Sequence, residues 1–165
     1  MAKISKKMEK ALNEQINKEF SAAFLYLSMS AYFENRNLSG FAHWMKMQYH
    51  EEVVHVMKIF DFIHDRGGKA EIMAIDAVKS DWKDEVEVFK DTFAHEMKVT
   101  ESINKLVKLS HDENDYATGV MLQWFVTEQV EEEASAAKIL EKLKLIDGAK
   151  AGLMMIDNEL MSRAK

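Results

Sequence analysis

The sequence has no cysteine and no proline. The first absence excludes disulfides, zinc-thiolate and iron-sulfur ligation, and a thiol nucleophile. Any metal chemistry must therefore use oxygen and nitrogen. The second, with only six glycines in 165 residues, permits long uninterrupted helices and leaves no multi-domain linker in view. Long apolar runs are missing too: the longest uncharged stretch, residues 20–33, is too short to span a bilayer and contains serines. The basic start, Met1 to Lys7, is not followed by an apolar run of signal-peptide kind. A net charge of -6 disfavours non-specific binding to nucleic acid, which needs a positive stripe. The expectation is a soluble cytoplasmic protein with neither a membrane nor a nucleic-acid partner.

What is present is enough for a core. At 47% hydrophobic content, 165 residues suit one domain, residues 1–165. From Ser5, a plausible N-cap, to about Asn35 the apolar residues keep a three-to-four-residue rhythm, which predicts one long amphipathic helix. A short break at residues 35–40 predicts a second helix, roughly Ser39 to Asp65, running back beside the first and stopped by Gly67-Gly68. Residues 69–84 lack a helical period and read as a crossover. A third helix from about Asp84 to His111, a polar turn, and a fourth from about Tyr116 to Leu145 follow. Asp147-Gly148 then separates a short fifth helix, about 149–162. This is an all-α four-helix bundle, about residues 5–145, with one long crossover between helices two and three and a short terminal helix. The expected arrangement has helices one and three parallel.

Seven acidic or imidazole side chains fall on the core stripes of this scheme. They are Glu19 on the first helix, Glu52 and His55 on the second, Glu96 on the third, and Glu128, Glu131 and Glu132 on the fourth. Stripes through 45, 48, 52, 55, 59 and through 117, 121, 124, 128, 131/132 carry the second and fourth sets. Counted from the two turns, all seven reach similar heights and would share one layer. The intervals 19 to 52 and 96 to 128 nearly match, as in a duplicated helical hairpin. A buried unpaired carboxylate costs several kcal/mol or more, roughly, so cations must sit among them. A Glu from two helices plus Glu-x-x-His from others is the ligand pattern of ferritin-like di-iron bundles, although Glu128 to Glu131 lacks the second His. Carboxylates with a single imidazole favour iron, manganese or zinc over magnesium or calcium. Tyr26 lies two turns along the Glu19 face, and Trp124 is nearby.

The chain also resembles the non-haem ferritins of bacteria and archaea. The likeness is carried by residues 11–15, Leu25 to Met29, Glu51-Glu52-Val53-Val54-His55, Gly67-Gly68, His95-Glu96, residues 122–126 and Glu128 to Glu133. It implies that Glu19, Glu52 and His55 hold a first iron and that Glu52, Glu96 and Glu132 hold a second, with Gln129 beside them. A third iron site would use Glu51, Glu128, Glu131 and Glu132, and Tyr26 would relay electrons. It further implies ferroxidase activity with dioxygen or hydrogen peroxide, and a homo-oligomeric shell of 24 subunits storing ferric oxyhydroxide. Haem is not expected, because haem-containing bacterioferritins place a methionine after the bridging Glu, where this chain has Val53. Two other classes fit less well: an oxygenase needs a substrate pocket beside the metals, and a purely structural bundle needs a water-filled acidic layer.

Overall fold

The computed structural model describes residues 3–163; residues 1, 2, 164 and 165 lie outside the described part of the expected domain. All regular structure there is helical: α1 Lys6–Glu34, α2 Ser39–Asp65, α3 Glu85–Asp112, α4 Tyr116–Ile146 and α5 Lys150–Met161. The caps explain the boundaries. Ser5 accepts from the Met8 amide, Asp84 from the Glu87 amide and Asp115 from the Thr118 amide, each satisfying an amide that the first helical turn leaves unpaired. At the other ends, Asn37, Gly67, Asn114, Asp147 and Gly148 take positive φ, a backbone that Gly and Asn enter at least cost.

The direction of α3 differs from expectation. Gln15 bonds Ser102, Tyr26 bonds Glu96, and Met29 accepts from Thr92, so α3 numbers fall as α1 numbers rise. Helices α1 and α3 are antiparallel. Ser5 at the start of α1 donates to Glu113 at the end of α3, which puts the second turn at the opposite end from the first. The crossover makes this possible by running alongside α1: the Lys69 carbonyl accepts from Asn13, the Lys79 carbonyl accepts from Ser28, and Trp82 packs on Tyr32. Sixteen extended residues reach about 50 Å, enough to traverse a helix of about 40 Å. Heights counted from the two turns therefore do not share an origin.

The core divides in two. One apolar half contains Tyr26, Phe33, Phe41, Met45, Phe89, Leu140 and Leu160, and the other Met8, Leu12, Ile16, Ile59, Ile103, Leu122 and Phe125. On every long helix a set of buried polar residues falls between these halves: Glu19, then Gln48, Glu52 and His55, then Thr92 and Glu96, then Gln129 and Glu132. Buried Ala22, Ala23 and Ala136 lie in the same stretches, where short side chains leave room.

Helix α5 closes one end by supplying a cap that α2 lacks. The α2 N-cap, Leu38, makes no side-chain bond; instead Asp157 of α5 accepts from the amides of Gly40 and Phe41 at 2.9 and 3.0 Å. The approach is so close that a Cβ on Gly40 would fall 1.7 Å from the Asp157 carbonyl oxygen. Replacing Asp157 by Ala leaves two buried amides unpaired, a loss of about 1–2 kcal/mol. The expected drop in Tm is about 2–8 °C, with a smaller drop for Asp157→Asn, which keeps an acceptor oxygen; an unchanged Tm in Asp157→Ala would remove this role.

Candidate metal centre

The centre is built from α1 and α2 first. Glu19, Glu52 and His55 are buried, and each offers one ligand atom within 4.8 Å of the others. His55 Nδ1 stands 3.2 Å from Glu52 Oε2 and 3.8 Å from Glu19 Oε2. The Trp124 and Phe125 rings meet the imidazole in edge-to-face contacts. Gln15 donates to Glu19 Oε1 at 2.7 Å, while Glu19 Oε2 is buried with no hydrogen-bond partner. An orphaned carboxylate oxygen next to a second carboxylate and an imidazole fits a divalent cation of the first transition row.

The second half comes from α3 and α4. The Tyr26 hydroxyl donates to Glu96 Oε1, and Gln129 Nε2 donates to Glu96 Oε2 at 3.1 Å and lies within 3.3 Å of both the Glu96 carbonyl and Thr100 Oγ1. Gln48 donates to Glu132 Oε2 at 2.7 Å. Three buried glutamines thus each hold one acidic side chain: Gln15 on Glu19, Gln48 on Glu132, Gln129 on Glu96. A neutral amide orients a carboxylate without cancelling its charge, so the negative charge stays available to a cation. Gln129 was expected beside the irons from the family resemblance; Gln15 and Gln48 were not singled out, although position 48 already lay on the polar stripe. His95, largely buried against the Tyr26 ring with Nε2 unpartnered, was missed as well.

Electrostatics follow from this crowding. Burial pushes the Glu52 carboxyl well up. Burial also works to raise Glu19, but the neighbouring His55 and Glu52 outweigh it and hold Glu19 low. Burial alone would lower His55; bonding to Glu19 and Glu52 reverses this and takes it to about 11. Glu132 rises to about 7 through burial and the nearby charge of Glu96. The Tyr26 phenol is pushed well up by burial and by Glu96 and Glu52. The raised values at Glu52, His55 and Glu132 favour their protonated forms when no cation is bound.

This arrangement corrects two expectations. Glu131 is exposed and Glu128 only partly buried, so neither sits in a dry layer. The buried stripe of α4 runs through 118, 122, 125, 129, 132 and 136, displaced from the expected 117, 121, 124, 128 series. The internal repeat shifts with it: 19, 52 and 55 correspond to 96, 129 and 132, with intervals of 33 and 3 in both halves. Gln129 is therefore the counterpart of Glu52, and Glu132 that of His55. Second, the seven groups do not all enter one dry layer: Glu19, Glu52, His55, Glu96 and Glu132 are the buried members.

Comparison with known proteins agrees with this architecture. The ferritin-like domain family matches residues 9–146. The chain belongs to the ferritin family. Among curated ferritins it is similar to the bacterial non-heme ferritin of Bacteroides fragilis, 46% identical over 97% of this chain and 99% of the relative. That of Staphylococcus aureus is 38% identical over 97% and 96%. Among solved ferritins, the open pore ferritin of the hyperthermophilic archaeon Archaeoglobus fulgidus superposes with a TM-score of 0.97 at 47% identity, covering 99% of this chain and 100% of that one. An engineered closed form of the same archaeal ferritin superposes with a TM-score of 0.96. No described helix of this ferritin is long and apolar enough to cross a membrane.

The pH dependence of the metal-free ferritin tests this protonation. Glu132 and His55 both have folded values above their ordinary 4.5 and 6.5. The stability each contributes is complete below the ordinary value and is lost as pH rises through the folded one. The metal-free Tm should fall between pH 5 and pH 9, and anaerobic Fe(II) at pH 8 should restore it with release of protons. A metal-free Tm that climbs over this range would contradict the assignment.

Proposed function

We propose that this ferritin is an iron store with ferroxidase activity: it binds Fe(II) as substrate, oxidises it with dioxygen or hydrogen peroxide, and deposits ferric oxyhydroxide inside a homo-oligomeric shell. The observation that carries the reading is the buried Glu19, Glu52 and His55 group, with an orphaned oxygen and too little positive charge of its own. Glu19, Glu52 and His55 take the first iron. Glu52 bridges to the second, held with Glu96 and Glu132. Two Fe(II) supply two electrons, which with two protons reduce dioxygen to hydrogen peroxide, or hydrogen peroxide to two waters.

The chain's own residues set up that exchange. Gln15, Gln48 and Gln129 fix the carboxylates that would ligate iron, so little reorganisation is needed on binding. Tyr26, kept protonated by burial and by Glu96, gives up an electron only as its phenolic proton passes along the bond to Glu96. Glu51, Glu128, Glu131 and Glu132 supply a third iron position toward the protein surface. The protein is cytoplasmic, binds no haem, and acts as a single domain whose short α5 belongs to the shell-forming pattern. A shell of 24 chains of 19.0 kDa has a mass of about half a megadalton, which an oxygenase monomer or dimer does not approach.

Glu52→Ala should abolish rapid Fe(II) oxidation, a loss of at least about 10²-fold, while light scattering still finds the full shell. Wild-type oxidation rates in that variant would reject the bridge. Tyr26→Phe should slow oxidation several-fold without changing anaerobic Fe(II) stoichiometry, and an equal rate would leave Tyr26 a packing residue.

A further inference from the structure

Glu51 precedes the bridging Glu52 on α2, yet its partner comes from beyond α5. Arg163 Nη2 donates to Glu51 Oε2 at 2.6 Å. Arg163 is held from two further directions: its carbonyl oxygen lies 2.8 Å from His43 Nε2, and its guanidinium sits over the Trp44 ring at 4.7 Å. The remaining terminal nitrogen, Nη1, is buried with no hydrogen-bond partner. The segment following α5 therefore delivers a fixed positive charge to the edge of the metal centre.

Among the described residues Glu19, Glu52 and His55 bring three ligand atoms together, whereas neither Glu52, Glu96 and Glu132 nor any three of Glu51, Glu128, Glu131 and Glu132 do so. What sets Glu51 apart from the inner ligands is its ion pair with Arg163. We propose that Arg163 is a latch on the third iron position, a built-in cation on Glu51 that an incoming iron must displace. The proposal rests on the iron reading of the preceding subsection and adds a residue that sets the order of filling.

Magnitudes favour a releasable latch over a permanent block. The two side chains are 23% and 44% exposed, so solvent screens the ion pair and it contributes modestly. Stacking on Trp44 adds a comparable increment. Together they amount to roughly a tenfold handicap for a metal at Glu51. The two inner positions, whose ligands have no guanidinium partner, carry no such handicap. The third position fills last and empties first, which suits a position through which iron passes.

Anaerobic Fe(II) titration calorimetry on the assembled protein tests this with Arg163→Ala and Arg163→Lys. Arg163→Ala should leave the two inner affinities unchanged and strengthen the third by about tenfold. Arg163→Lys should fall between, because lysine keeps the charge but loses the planar fork and much of the stacking. Intact inner binding with an unchanged or weaker third position overturns the latch alone. Absence of the two inner sites in the wild-type protein overturns both the latch and the iron reading.

Discussion

Carboxylates gathered in a dry interior, with less positive charge than they need, are the constraint to which the rest of this molecule answers. Glu19, Glu52, Glu96 and Glu132 are all buried, and His55 is the basic group that lies between Glu19 and Glu52. Removing such groups from water is tolerable only if protons or cations compensate. When no cation is bound, upward shifts at Glu52, His55 and Glu132 favour their protonated forms. Lysine or arginine at the Gln15, Gln48 and Gln129 positions would neutralise the cluster permanently. Neutral amides there give orientation and leave the deficit intact, so the affinity for cations persists.

The fold places that deficit where it can be held. Two apolar halves pack above and below the polar zone, and the four long helices cross from one to the other. Each hairpin contributes the same spacing, and the traversing crossover turns the second hairpin so that α3 opposes α1. The result is two facing half-sites, with the Glu52 carboxylate on one side and Gln129 in the corresponding place on the other. Had Gln129 been a glutamate, another buried negative charge would stand beside Glu96. The amide spares that charge and donates a bond to Glu96 instead. Helix α5 ties one end together through Asp157 and Gly40, and beyond it Arg163 reaches back to Glu51.

Much of this was legible in the sequence. Helix boundaries followed from Ser5, Asp84, Gly67 and Asp147-Gly148 to within a residue or two, because caps and stop residues act locally. Glu19, Glu52, His55 and Glu96 stood out as charged interruptions of apolar stripes, and all are buried. The α4 register was harder. Exposed Val120, Val130 and Leu145 spread apolar character around that helix and blur its period, so Glu128 and Glu131 were read as inward together with Glu132, whereas Gln129 and Glu132 are the buried pair. The direction of α3 was not encoded in the length of the connection, since sixteen residues suffice either to return or to traverse. Contacts between distant segments, Asn13 with Lys69, Ser28 with Lys79 and Trp82 with Tyr32, lay the crossover along α1. Arg163 on Glu51 is a similar long-range pair, and no local pattern announces it.

An anomalous-scattering map from iron-soaked crystals tests the central claim directly. Iron should occupy two positions inside the bundle, one among Glu19, Glu52 and His55 and one among Glu52, Glu96 and Glu132. Iron confined to surface carboxylates, with the buried oxygens of Glu19 and Glu52 still unliganded, would contradict the account.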